Sequence, residues 1–324
     1  MRKFLKLSGI ALLSILVIIL IIAAYIKIAL PNVGAAPVMT VEKSPDRFKR
    51  GAYLAKSVMI CMDCHSSRDP LNFSMPMVYS TIGEGGERFD QSMGFPGVYY
   101  SANITPAGIG SWTDGEIYRA ITTGVRKSGK PIFPVMPYHS YRQADPEDIK
   151  SVIAFLRSLS PIQNVVPEPK SDFPMNIILN TIPVKADPQT KPPEDDSIAN
   201  GKYLFNIAAC HDCHTPYDKG KFVETAAIGG GRVFPVPGGM VTSANITPDK
   251  ETGIGTWTRE MFVQHFAIYR DSANAHRPVK PGEMQTIMPW TMYANMADKD
   301  LANIYAYIQT IKPIKNKVVK WKAQ

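Results

Sequence analysis

The chain opens on an apolar run. Residues 9–24 carry no charge, and the run continues to Pro31 with only Lys27 interrupting it. About 20 helical residues cross a bilayer core, so residues 1–31 read as a cytoplasmic N-terminus and a transmembrane anchor. Beyond it the pattern turns to short amphipathic periods. Ile149, Val152, Ile153 and Leu156 recur at helical spacing, as do Ile304, Tyr307 and Ile308, and predict helices over 146–158 and 298–310. Pro146 suits a first helical position. Helices are also predicted over 45–59, with Tyr53, Leu54 and Val58 facing inward, and over 195–208. Thr113 and Thr258 read as N-caps of helices 114–122 and 259–267, and Glu116 completes a capping box on the first.

The pattern then repeats. Gly51, Tyr53 and Leu54 return as Gly201, Tyr203 and Leu204. Ser-Ala-Asn-Ile-Thr-Pro occurs at 101–106 and 243–248, and Gly-Ile-Gly-Ser/Thr-Trp-Thr at 108–113 and 253–258. Val135-Met-Pro-Tyr138 is answered by Ile287-Met-Pro-Trp290. Two copies of one unit are the economical reading, over 45–160 and 197–311. Between them, 161–196 holds eight prolines and reads as a stiff, extended linker, its apolar stretch 173–182 packing along one unit. Residues 312–324, with Lys312, Lys315, Lys317, Lys320 and Lys322, read as a basic tail. It is either a solvated end or a contact for anionic lipid or an acidic partner.

Composition bounds the class. With 45% hydrophobic and 20% charged residues in 324, the chain is neither disordered nor a multi-span membrane protein. The net charge of +8 includes Arg2, Lys3 and Lys6 ahead of the apolar run. Basic residues there place the N-terminus in the cytoplasm and the bulk outside. A cleaved signal peptide is the competing reading, and it exports the remainder too. The charge is poor evidence for a nucleic-acid partner.

All four cysteines fall in one pattern. Cys61-Met-Asp-Cys64-His65 and Cys210-His-Asp-Cys213-His214 are both C-x-x-C-H, the haem attachment signature. Two thiols add to the two vinyl groups of one porphyrin, and the adjacent histidine reaches the iron. Disulfides would leave the paired histidines unexplained, and the cysteine pairs sit in separate repeats, unlike a single Cys₄ zinc site. The expected cofactors are therefore two covalently bound haem c groups, with Cys61, Cys64, Cys210 and Cys213 as attachment points and His65 and His214 as iron ligands.

The second axial ligand must come from elsewhere. The repeat points to Met136 and Met288, which lie 71 and 74 residues after His65 and His214, each followed by proline. A lone methionine is more often core filler, but matched positions reverse that expectation. His139 is the rival ligand. Met75, Met77, Met93, Met284, Met292 and Met296 are weaker candidates, and His211, His265 and His276 read as spacer, packing or surface residues. The Gly-rich stretches at 83–86 and 229–232 lack a phosphate-loop context and read as turns near the haem. Arg88 and Arg232 are candidates for neutralising propionates. Trp112 and Trp257 are candidates for the haem edge, and Asn103 and Asn245 for orienting a loop.

Taken together, the pentads, Ser-Ala-Asn-Ile-Thr-Pro, Gly-Ile-Gly-Ser/Thr-Trp-Thr and the Met-Pro pair resemble the membrane-bound diheme and triheme cytochrome c subunits of bacterial alcohol, gluconate and related dehydrogenases. The resemblance covers roughly 45–160 and 197–311. It implies an all-α fold of tandem cytochrome c-like domains after an N-terminal transmembrane helix. It also implies electron relay between a dehydrogenase or quinol donor and another carrier. Many relatives are anchored near the C-terminus and some carry a third haem domain, and this chain departs from both. The expected function is that of a non-catalytic diheme subunit of a respiratory oxidoreductase complex, on the periplasmic side of the bacterial inner membrane, with redox-protein partners. The alternatives are the diheme subunit of a terminal oxidase and a diheme peroxidase, the latter needing one iron with an open position.

Overall fold

The computed structural model describes residues 2–218 and 220–324. Two crossed helix pairs carry its core. Ser44 begins the helix Pro45–Tyr53 by accepting from the Arg47 amide at 3.3 Å, with proline in the first turn and Asp46 near the positive helix end. That helix packs across Pro146–Ser158, and Ser197–Ile207 packs across Asp298–Ile308. Ile149, Val152 and Ile153 are wholly buried at the first crossing, as the periodicity predicts, and Leu301 and Ile308 nearly so at the second. A glycine sits at each closest approach. A Cβ on Gly51 would lie 1.8 Å from the Ser151 carbonyl oxygen, and one on Gly201 would lie 1.9 Å from that of Asn303. Asp114–Thr123, with its capping box, and Arg259–Ala267, capped by Thr258, flank the two pairs.

The halves differ by one residue between Gly51 and Cys61 on one side and Gly201 and Cys210 on the other. The first half absorbs the extra residue in a π-helical turn, Leu54–Val58. The Met59 amide bonds the Leu54 carbonyl five residues back at 2.7 Å, whereas the Ala208 amide bonds Leu204 four back at 2.8 Å. The predicted helix over 45–59 is therefore an α segment followed by a π segment. Leu54 and Val58 face the core, while Tyr53 turns to the other half.

The fold is predominantly helical but not all-α, which corrects the sequence-based expectation. Short antiparallel sheets are present: β1 (Arg88–Phe89), β2 (Gly97–Tyr100) and β3 (Lys170–Ser171) in one; β4 (Tyr217–Asp218) with β5 (Lys221–Phe222); and β6 (Val233–Val236), β7 (Gly239–Thr242) and β8 (Trp321–Ala323) in another. They pair backbone groups of the loop-rich stretches that no helix satisfies.

Two segments strap the halves in the same way. The Asn103 amide donates to the Ile162 carbonyl at 2.8 Å, and Asn164 donates to Glu84 at 3.0 Å. Asn245 donates to Ile314 at 2.7 Å and Asn316 to Gly229 at 2.9 Å. β3 and β8 then close onto β2 and β7, with Val98 opposite Lys170 and Met240 opposite Lys322. Residues 173–182 continue from the first strap, and Leu179 packs with Phe89 and Tyr99.

The halves meet through an exchange of tyrosines. Tyr53 Oη donates to Asp300 at 2.5 Å and accepts from the Ala297 amide at 3.1 Å. Tyr203 Oη donates to Asp148 at 2.6 Å and accepts from the Asp145 amide at 3.2 Å. Each tyrosine thus caps the start of the other half's C-terminal helix. Ahead of the helical halves runs the helix Arg2–Ala29. Within Lys3–Ala29 the most apolar 18-residue window has a mean hydropathy of 3.0 and no buried share, and the 27-residue span is about 40 Å long, enough to cross a bilayer core. A signal sequence passes the same test.

Candidate haem-binding sites

The cysteine segments begin with a sharp change of direction. Ile60 and Ala209, immediately before Cys61 and Cys210, take left-handed φ of 46° and 53°. Side chains rarely adopt that conformation, and it costs about 1–2 kcal/mol. The cost is accepted identically in both halves, and it turns Cys61–Cys64 and Cys210–His214 away from the preceding helices. The four thiols form no disulfide and are half-buried. Burial pushes Cys61, Cys64 and Cys210 up to about 12 and Cys213 up to about 11. Cys213 adds to the shift at Cys64, and Asp63 to that at Cys213, so the two segments feel each other's charge. Asp63 is itself pushed up to about 6 by burial and Glu87, against the opposing effect of Arg68.

The histidines are oriented in the same way in both halves. His65 Nδ1 lies 2.7 Å from the Ala102 carbonyl, and His214 Nδ1 lies 2.8 Å from that of Ala244. A carbonyl only accepts, so Nδ1 carries the proton and Nε2 keeps its lone pair. This is the second-shell arrangement that fixes a metal-binding imidazole. Burial lowers both histidine pKa values and keeps the rings neutral, although their carbonyl bonds work the other way.

Ser-Ala-Asn-Ile-Thr-Pro is built to hold that carbonyl. Asn103 Oδ1 accepts from the Thr105 amide at 3.0 Å and its hydroxyl at 2.7 Å, and Asn245 does the same for Thr247 at 2.9 and 2.7 Å. The glycine-rich stretches press on the same place. Gly85 and Gly230 have φ of +72° and +73°, and a Cβ on either would lie 2.4–2.5 Å from the backbone of Ala102 or Ala244. Their amides bond the carbonyls of His65 and His214 at 2.9 and 2.8 Å.

Met136 and Met288 lie on matching turns. The Tyr138 amide bonds the Met136 carbonyl at 2.8 Å and the Trp290 amide bonds that of Met288 at 2.8 Å. The prolines between have ψ of 46° and 63°, so each sits at the centre of an inverse γ-turn for which its φ is preset. Five residues on, Tyr141 Oη donates to the Met59 carbonyl at 2.7 Å and Tyr293 Oη to that of Ala208 at 2.5 Å. Those carbonyls lie two residues before the first cysteine of each pair. Both methionines and both leading cysteines pack against the main core.

The remaining candidates separate. His139 Nε2 pairs with Asp212 at 2.9 Å, and His211 with Glu224 at 3.1 Å. Arg88 is exposed and paired with Asp90 at 2.9 Å. Arg68, which sequence reasoning missed, lies by the first pentad, 3.7 Å from Asp63 and bonded to Glu87. The tyrosine ties were also missed, because Tyr141 and Tyr293 stand outside the longer matching strings.

Among the described residues no group of three or more His, Cys, Asp or Glu side chains surrounds a bare-ion position. A haem asks for something else: two thiols, one imidazole with a free Nε2 and one further axial donor. Each half supplies two thiols and an imidazole with a free Nε2, which fits the first part of that demand. In the first half, Tyr138 Oη and Arg68 Nε are also buried without a protein partner, and such donors suit a propionate.

Several known proteins that match this chain are cytochromes by name. No family model matches the chain. It is 27% identical over 331 residues to the fructose dehydrogenase cytochrome subunit of Gluconobacter japonicus, covering 96% of this chain and 60% of that one. It is 28% identical over 308 residues to the alcohol dehydrogenase (quinone) cytochrome c subunit of Gluconobacter oxydans, covering 90% and 60%. At the family level the chain resembles the cytochrome c subunits of bacterial dehydrogenases. It spans 60% of the length of both of these subunits. It is also 28% identical over 264 residues to a diheme cytochrome c-type protein of Cereibacter sphaeroides, covering 78% and 82%.

Proposed function

We propose that the chain is a membrane-anchored diheme electron-transfer subunit of tandem cytochrome c domains. It relays single electrons between a membrane or periplasmic donor and another carrier of a respiratory chain. Cys61, Cys64 and His65, with Met136, hold the first haem c, and Cys210, Cys213 and His214, with Met288, hold the second. The observation that carries this reading is the duplicated bond from histidine Nδ1 to a braced carbonyl, at 2.7 and 2.8 Å. It leaves each Nε2 free beside two unpaired thiols.

A haem supplies a one-electron couple, and thioether ligation raises its potential. His65 with Met136, and His214 with Met288, would hold the iron of each group from the protein side. No position is then left for a substrate, which favours relay over the peroxidase alternative. The helix Arg2–Ala29 anchors the chain in the inner membrane, with both halves on the extracytoplasmic side. The partners are subunits of a membrane oxidoreductase complex, as the resemblance to dehydrogenase cytochrome subunits supports.

The test is purification of the full chain in mild detergent, with haem c quantified against protein and co-purifying subunits identified. Two haem c per chain are expected. Met136→His and Met288→His should each abolish part of the sulfur-to-iron charge-transfer band. One haem per chain, or a band unchanged in both variants, refutes the assignment.

A further inference from the structure

The two halves superpose their hydrogen bonds position by position, and charge breaks the match. The Glu87 amide bonds Ser101 Oγ at 3.0 Å and its carbonyl accepts from the Ser101 amide at 3.0 Å. The Arg232 amide bonds Ser243 Oγ at 3.0 Å and its carbonyl accepts from the Ser243 amide at 2.8 Å. Glu87 and Arg232 are thus equivalent positions of opposite charge, two residues after the glycines whose amides bind the carbonyls of His65 and His214. Three residues earlier, Glu84 stands where the second half has Gly229.

The pairing of Lys170 with Val98 and of Lys322 with Met240 sets the straps in register, so Glu168 answers Lys320. That is a second reversal. Lys320 is tied to the site through the backbone: its carbonyl accepts from the Thr242 amide at 2.9 Å, two residues before the Ala244 whose carbonyl binds His214.

Other charges modify the contrast without cancelling it. Arg68, whose counterpart is Tyr217, lies between Asp63 and Glu87 and, as one cation against two carboxylates, leaves that cluster net negative. Glu168 is exposed and lies 3.7 and 3.9 Å from Arg126 and Lys130, which offset its charge, so the contrast at the straps rests on Lys320. Arg88 is paired with Asp90. In the second half Asp212 is hydrogen-bonded to His139 and stands where the first half has Asp63, so the two carboxylates match, while Arg232 stacks on Tyr217 and Phe234 at 5.0 and 5.1 Å and donates to the Asp212 carbonyl. Among the described residues no carboxylate lies within 4 Å of its guanidinium.

Resting on the diheme reading above, we propose that Arg232 and Lys320 make the second-half site the stronger electron acceptor of the two, while Glu87 holds the first at a more negative potential. A positive charge near a redox centre favours its reduced form, and a low-dielectric surround enlarges the effect. The order of the two sites is then written in the polypeptide, and a single electron shared by the chain resides on the second half.

Spectroelectrochemical titration of the full chain in detergent tests this. Haem c content is measured first: fewer than two per chain overturns the diheme reading, and the order of sites is judged only on protein carrying two. Met136→His and Met288→His then assign the waves, since each lowers the wave of its own half. The expected result is that Met288→His moves the upper wave, and that Lys320→Glu, an exposed change, lowers it without altering the spectrum. Arg232→Glu should lower it further, and Glu87→Arg should raise the lower wave. If Met136→His moves the upper wave, or if Lys320→Glu and Arg232→Glu both leave it in place, the proposal is overturned.

Discussion

Gly51→Ala and Gly201→Ala each put a methyl group where the structure has room for a hydrogen. The added carbon would lie 1.8 or 1.9 Å from a backbone oxygen of the facing helix. Carbon–oxygen contacts settle near 3.3 Å, so the helices must part by roughly 1.5 Å. The clashing atoms belong to helix backbone and have no rotamer by which to yield. Overpacking of this kind costs about 1–3 kcal/mol, occasionally more. Parting the helices also opens a gap beneath Leu54, Ile149, Val152 and Ile153, all of which are wholly buried. A gap of 0.5–1 Å already forfeits roughly a quarter to a half of the dispersion at each contact. Against this, alanine gains only about 1 kcal/mol of helix propensity over glycine. The net loss is about 2–4 kcal/mol in each variant. Thermal unfolding in detergent, followed by far-ultraviolet circular dichroism, measures it. Gly9→Ala is the control, since nothing lies within 4 Å of a Cβ there. Both variants should melt several degrees below the parent and the control. If they melt with the control, the close approach does not hold each helix pair together and the reasoning fails.

Tyr203→Phe removes two bonds that reach the buried start of the helix Pro146–Ser158. Asp148 keeps the Arg50 guanidinium at 2.8 Å, so the loss should be about 1–3 kcal/mol in urea unfolding. Tyr53→Phe should cost less, because Asp300 is closer to solvent, and the reverse order would contradict this account. His265 sits edge-on between Trp257 and Trp290, and burial, helped by Lys320, holds its imidazole below the ordinary range. The unfolded chain therefore gains a proton first as pH falls. The stability due to the neutral ring is present above about pH 6.5 and is lost as pH falls from there to the depressed folded value. His265→Phe should flatten the stability profile in that window, and an unchanged slope would show that other groups set it.

The crossed helices were legible because their apolar periods run for three turns. The cysteine pentads were legible because thiol chemistry allows few spacings. The sheets were not, since strands of two to four residues are too short to show an alternation. The straps were hidden for a related reason. Pro161-Ile-Gln-Asn164 and Pro313-Ile-Lys-Asn316 share three residues of four, and both fall in stretches whose prolines and lysines suggest a linker and a tail. Their role is visible only through Asn103 and Asn245, which hold a strap on one side and the histidine's carbonyl loop on the other. The π turn was foreshadowed by the extra residue before Cys61, but a count of residues says nothing about where a helix takes up the slack.

The exchange of Tyr53 and Tyr203 is self-complementary: each half offers the hydroxyl that the other lacks. Two separate copies of one half would satisfy the same rule, as in an isologous dimer. The fused chain therefore has the bonding logic of a homodimer whose protomers have been joined and have since diverged. Joining makes association intramolecular and indifferent to dilution. It also frees the two copies from being identical, and only unlike copies can place opposite charges at matching positions.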